Sequence, residues 1–311
     1  MAGEMNDVGG SALPVALPSS RRRGFLARAL GLGAGALGLA GSSRQARSQA
    51  IPGVNDATIL NFALNFEYLG SEYYTYAMTG RGIGDNGVPI NGAGNAGPTT
   101  TKPSPRVTFA NPMIQQFAAE LMRDEIEHVQ FVRNTLISFG VTPIAKPAID
   151  LLNSFNLAAR LAGLGNSFDP FANQVNFLLG AYILEDVCVT ALHGAAPLLR
   201  NKNVISGAAG MLGVESYQAG AIRTLLYQAN QGMATQAISN LRASASGVGD
   251  FGVAQGPLNA GPAGHTSIVL ADANALAFAR TPRQVLNIAY LAPNAFAGGF
   301  FPNGVNGTIR G

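Results

Sequence analysis

This chain predicts an all-α fold: a bundle of four long helices, a long crossover between the second and third, irregular glycine-rich loops and a turn-rich tail. Three observations carry that prediction. Four long stretches repeat apolar residues at helical period. The segments between them are rich in Gly, Pro, Asn and Ser and show no period. The composition is 47% hydrophobic and only 12% charged over 311 residues, which suits a packed core of one domain, or two small ones.

Residues 1–50 stand apart from this pattern. Arg22-Arg23-Gly24-Phe25-Leu26 has the twin-arginine form, a weakly apolar Gly/Ala/Leu run follows over 27–41, and Ser48-Gln49-Ala50 is a small-x-small cleavage site. The expected address is therefore the periplasm or the exterior, with the twin-arginine machinery as partner and no membrane attachment after cleavage. This segment holds six Arg against Glu4 and Asp7, leaving 14 Lys/Arg and 15 Asp/Glu in the remainder. The leader thus carries +4 and the remainder −1, which together give the net +3. A basic nucleic-acid surface is excluded, and there is no Trp to stack bases. Cys188 is the only cysteine, which rules out an internal disulfide and a multi-thiolate zinc cluster. It reads as a small apolar residue on its helix. Beyond the leader the expected division is a bundle over 51–245 and an extension over 246–311 that packs on it.

The first helix spans residues 56–78, with Asp56 as its expected N-cap. Its stripe runs Leu60, Ala63, Glu67, Gly70, Tyr74, Met78. Glu72 lies on a neighbouring line with Asn65 and Tyr76 that looks more polar, so Glu67 is the preferred functional acid. The aromatics Phe62, Phe66, Tyr68, Tyr73, Tyr74 and Tyr76 read as packing, with one tyrosine free to hydrogen-bond a ligand carboxylate. Residues 79–108 form a loop long enough to be either a wandering surface connection or functional. Asn111-Pro112 starts the second helix. Its stripe holds Ala118, Leu121, Met122, Val129, Val132 and Leu136, and Glu125 and His128 fall inside it.

Residues 142–170 read as irregular, with a short helix around 149–162. The third long helix covers 173–192, with Glu185 in the stripe, Asp186 on its shoulder and His193 near the end as a dipole partner. The fourth covers 206–227, with Glu215 and Gln218 in its stripe. After Tyr227 the pattern dissolves until a last helix at 282–290, capped by Thr281 with Pro282 at its first position. His265 falls in the loose part. Asn306-Gly307-Thr308 matches a glycosylation acceptor only formally, and the tail is expected to wrap over the bundle.

In order, the four helices offer Glu67; Glu125-x-x-His128; Glu185; Glu215-x-x-Gln218. A carboxylate buried alone is costly unless paired, hydrogen-bonded or bound to metal. Two-metal carboxylate bundles take one Glu from each of two helices and a Glu-x-x-His from each of the others. Here ILNFALNFEYLGSEYY, the Glu125–His128 helix, NFLLGAYILED, GVESYQAGAIRTLLY, FARTPRQVLNIAY and GGFFPNGVNG resemble the ferritin-like domain of the desiccation-related proteins of bacteria and plants. The resemblance spans about residues 54–310. It implies a ferritin-like four-helix bundle, a link to drying or oxidative stress, and an ancestral metal site at Glu67, Glu125, His128, Glu185 and Glu215, holding Fe or Mn as one or two ions. The pattern would place a second histidine at Gln218. A neutral amide is a poor substitute for imidazole, so one metal position is expected to be weak. Two expectations follow: an exported metalloprotein, or a metal-poor, non-catalytic stress or structural protein that keeps the acids as a polar core. Self-association into a homo-oligomer stays open.

Overall fold

The computed structural model describes residues 54–253, 268–272 and 274–311. The twin-arginine stretch and His265 lie outside the described residues. Four long helices form the bundle: α1 (Asp56–Thr79), α2 (Pro112–Ser138), α4 (Gln174–Ala195) and α5 (Lys202–Gln228). Three shorter ones, α3 (Asn153–Leu161), α6 (Gly232–Ser246) and α7 (Pro282–Ala289), lie around them. α1 packs along α2 and α4 along α5, and the two pairs meet through α1 with α4 and α2 with α5. The crossover between α2 and α4 carries α3, as the all-α reading requires.

Helix starts follow local chemistry. Asn111, Asn173 and Asn201 cap α2, α4 and α5 through their side-chain oxygens, satisfying amides that have no partner inside the helix. The cap of α1 is Asn55, not Asp56. Asp56 sits one residue further in, and its carboxylate accepts from the backbone N–H groups of Arg200 and Asn201 at 2.9 and 2.7 Å. That contact ties the start of α1 to the start of α5. Thr281 caps α7 in a reciprocal box with Gln284.

The bundle core is continuous. Leu64, Tyr68, Leu121, Val129, Val132, Phe177 and Ile222 are fully buried, and Tyr73 of α1 stacks on Phe177 of α4 with ring centroids 5.7 Å apart. α4 with its extension to Leu198 is apolar enough to cross a membrane by composition, and 72% of its most apolar window is buried. It is the central helix of the bundle.

Three expectations need correction. The 79–108 loop is a structured layer: Ile83, Val88 and Val107 are buried, and its strand β1 (Thr99–Thr100) pairs in parallel with β2 (Ile149–Asp150) of the crossover. That pairing also delays the crossover helix, which begins at Asn153, after Asp150 has accepted the amides of Leu152 and Asn153. Glu72 faces no solvent. It is buried 3.6 Å from the Lys146 ammonium, which also donates to Gly97 O and Thr99 Oγ1.

The third correction is α6, a helix where no periodic pattern was visible. Its buried positions are Thr235, Ile238, Ser239, Arg242 and Ser246. These lie at helical spacing, yet four of the five are polar, so a search for apolar stripes passes over them. What they pack against is a buried ion network. Asp186 takes Arg223 of α5 at 2.7 Å and Arg242 of α6 at 2.8 Å. Asp250 takes Arg242 at 2.8 Å and Arg280 at 2.9 Å. All five residues are at most 5% exposed, and both Arg223 and Arg242 lie over the ring of Tyr182.

The tail returns to α1 through Asn306. Its backbone N–H donates to Asn65 Oδ1, and Asn65 Nδ2 donates back to its carbonyl. Its side-chain amide donates to Asn95 O and Ala145 O, and its Oδ1 accepts from Asn95 N. A side chain buried with this many partners is no glycosylation acceptor.

Candidate metal centre

The site lies between the four long helices. Each contributes from the same side as its apolar stripe, because a single acid at helical spacing must face where its neighbours face. Glu67, Glu125, His128 and Glu215 bring one donor atom each to within 4.8 Å of one another, and Glu215 meets Glu185 and Cys188 within the same limit. Glu215 is thus shared by two adjoining groups. The Nδ1 of His128 faces Glu215 at 3.3 Å, Glu125 at 3.5 Å and Glu67 at 3.6 Å. One ring nitrogen can direct one proton at one of these three.

The acids are buried, at 5%, 2%, 1% and 0% exposure for Glu67, Glu125, Glu185 and Glu215. Their environment is unlike that of the other buried acids, of which Asp150 accepts from the backbone N–H groups of Leu152 and Asn153 and from Asn153 Nδ2. Glu72, Asp186 and Asp250 each have a Lys or Arg. Among the described residues the four site glutamates have no cationic partner except His128. Glu67 Oε2, Glu125 Oε1, His128 Nδ1, Glu185 Oε2, both Glu215 oxygens and Gln218 Oε1 are buried without a hydrogen-bond partner. Converging oxygens and one imidazole nitrogen, with no Lys or Arg among them, are a donor set that iron or manganese takes. The residues present fit such an ion.

Protonation follows from the burial. Removal from water, then Glu125, pushes the Glu67 carboxyl up to about 8, while His128 pulls it back. Glu125 is pushed to about 7 by burial, offset by His128 and reinforced by Glu185. Burial and then Glu125 raise Glu215 to about 7, and burial with Glu215 raises Glu185 well above the ordinary range. Burial opposes a charged imidazole, yet Glu125, Glu215 and Glu67 together hold His128 up at about 12. Without metal, this cluster holds protons that a cation would displace.

Two residues were underweighted in the sequence. Tyr74, one of the aromatics read as packing, is fully buried and donates its hydroxyl to Glu185 Oε1. Cys188, read as an apolar filler, lies beside Glu185 and Glu215. The signal that would have found it is its spacing: Glu185-x-x-Cys188 repeats the offset of Glu125-x-x-His128. Gln218 is buried as expected, but its amide nitrogen is directed at Asp124 Oδ2 of α2, 3.3 Å away. His193 stays outside the site, in the last turn of α4, with Nδ1 3.3 Å from Phe278 O. Gly70 leaves the room that Glu125 uses, since a side chain there would strike the Glu125 carboxylate.

The description "Ferritin-like domain" matches residues 55–228, the span that contains all four bundle helices and every residue of the site. The chain belongs to this family. Among its relatives, it is 31% identical over 250 residues to the desiccation-related protein PCC13-62 of Craterostigma plantagineum, covering 75% of this chain and 76% of that one. It is 28% identical over 279 residues to the ferritin-like catalase Nec2 of Nesocodon mauritianus, covering 83% and 86%. No solved structure gives a significant match. For this ferritin-like protein, the resemblance seen in its motifs and the helical bundle agree.

Proposed function

We propose that this ferritin-like protein binds iron or manganese between its four long helices and serves in protection against oxidative or drying stress. The observation that carries the reading is the contrast among its buried acids: Glu67, Glu125, Glu185 and Glu215 lack the Lys or Arg that Glu72, Asp186 and Asp250 each have. A bound iron or manganese supplies one-electron redox chemistry toward peroxide. The chain's own residues do the rest. Glu67, Glu125, His128 and Glu215 bind at one end of the site, and Glu185 with Glu215 at the other. The Tyr74 hydroxyl holds one oxygen of Glu185 and leaves Oε2 directed to the ion. The apolar walls keep bulk water away from the carboxylates. One relative's name, a ferritin-like catalase, makes hydrogen peroxide the first substrate to test.

A second reading rests on Gln218. With its amide turned to Asp124, the fourth helix supplies no imidazole, which favours a metal-poor protective protein. Elemental analysis of protein purified from its native host, with titration of the stripped protein by Fe²⁺ and Mn²⁺, separates the two. The first reading expects at least one ion per chain, and peroxide turnover that disappears on chelation. Metal content well below one ion with no uptake would leave the second. We also propose export through the twin-arginine route with cleavage after Ala50. N-terminal sequencing of the mature protein tests it, and a chain that retains residues 1–50 would refute it.

A further inference from the structure

We propose that Cys188 is a metal ligand: as a thiolate, with Glu185 and Glu215, it holds the second cation of the site, α4 supplying a donor where Gln218 of α5 offers no imidazole. The proposal rests on the metal-binding reading above and specifies the chemistry of one half of it. The sulfur, a Glu185 oxygen and a Glu215 oxygen lie within 4.8 Å of one another, close enough for one ion to touch all three. Two further facts point to a ligand there. Glu185 Oε2 and both Glu215 oxygens are buried and have no hydrogen-bond partner, in residues no more than 1% exposed. Neither acid meets a Lys or Arg among the described residues, and of the two only Glu215 has His128 within 4 Å.

The two halves of the site are then built alike. On α2, Glu125 and His128 are one turn apart and present oxygen and nitrogen. On α4, Glu185 and Cys188 have the same offset and present oxygen and sulfur. Cys188 also lines a small apolar cavity with Leu69, Leu184, Val187, Ile288 and Phe300. Coordination replaces the S–H bond by a sulfur–metal bond, and the proton leaves to solvent.

Sulfur also changes which ion is preferred. Thiolate favours the softer divalent ions, iron, cobalt and zinc, over manganese, which favours oxygen. The position formed by Glu67, Glu125, His128 and Glu215 accepts either kind, whereas the Cys188 position discriminates against manganese.

Cobalt titration of the metal-free mature protein, followed by absorption, tests this. The expected result is visible ligand-field bands from the bound ions and a near-ultraviolet sulfur-to-cobalt charge-transfer band that grows with the weaker ion. In C188S the charge-transfer band disappears, the tighter ion remains, and the weaker one loses at least the roughly tenfold in affinity that even an outer partner's loss costs. Manganese displaces cobalt from the tighter position first. Cobalt bound without a charge-transfer band, or a band that persists in C188S, overturns the role of Cys188 and leaves the metal reading standing. Absence of any bound cobalt overturns both. Should C188S fail to fold, the wild-type spectrum alone decides.

Discussion

On the proposed metal-binding reading, divalent metal is expected to stabilise this protein more at about pH 8 than at about pH 5, because the metal-free site resists ionisation. The perturbation is removal of metal by a chelator, at a series of pH values. Glu67 has an ordinary carboxyl value of 4.5 and is held in the folded chain at about 8. A group whose folded value is raised binds its proton more tightly in the native state. Its contribution is complete below 4.5 and is lost as pH rises through the folded value. At about 1.4 kcal/mol for each tenfold step, Glu67 alone costs the metal-free protein about 5 kcal/mol across that window. Glu125 and Glu215, each raised to about 7, act in the same direction. Since the three repel one another, their costs overlap and the single largest is the safer figure. His128 adds to the fall only above its ordinary value of 6.5, and its window reaches to about 12.

With metal bound, the carboxylates are ionised throughout, and this loss is absent. At about 2–4 °C for each kcal/mol in a chain of this size, the melting temperature of the metal-free protein drops by roughly 10–20 °C over the window, relative to the loaded form. Thermal unfolding followed by circular dichroism, with and without Mn²⁺ or Fe²⁺, gives the difference directly. A difference that is flat, or that shrinks as pH rises, would refute the argument that the buried acids await a cation.

Other expectations concern single residues. Gln218→His gives the fourth helix its imidazole and raises bound metal toward two ions per chain by elemental analysis; unchanged stoichiometry would mean that this position does not face the site. Gly70→Ala gains about 1 kcal/mol in helix propensity, yet its added methyl meets the Glu125 carboxylate, so metal affinity by calorimetry falls about tenfold or more. Retained affinity would show that Glu125 can move without consequence. Asp250→Ala leaves Arg242 and Arg280 buried without their shared carboxylate and costs about 3–5 kcal/mol in denaturant unfolding. A change under about 1 kcal/mol would mean the network contributes little.

The four bundle helices and their acids were legible because a charged residue inside an apolar stripe stands out against a helical period. Glu67, Glu125, Glu185 and Glu215 each break such a stripe, and burial follows from the company they keep. The ion network was not legible for the opposite reason. Arg242 and Ser239 sit in a polar stripe, Asp250 and Arg280 in irregular stretches, and nothing local distinguishes a buried arginine from a solvated one. Apart from Arg242 and Asp250, eight residues apart, the paired charges are 30 or more residues distant, so only the fold brings them together. Glu72 was misread in the same way, since Lys146 reaches it from the crossover. Cys188 was legible in principle: its offset from Glu185 matches the histidine motif, but a lone cysteine on an apolar helix is ordinarily a packing residue. Tyr74 was one of six aromatics, and period alone cannot say which hydroxyl meets an acid.

The double amide clasp between Asn65 and Asn306 sets a timetable. Asn65 lies two residues before Glu67 on α1, and its partner is 241 positions further on. The helix that carries the first acid of the site is therefore clasped by a segment made 241 residues later. A nascent chain that has already made α1, α2, α4 and α5 still lacks this lock, and contacts so distant in sequence form slowly. On the proposed metal-binding reading, firm seating of an ion waits until Asn306 has come back to α1.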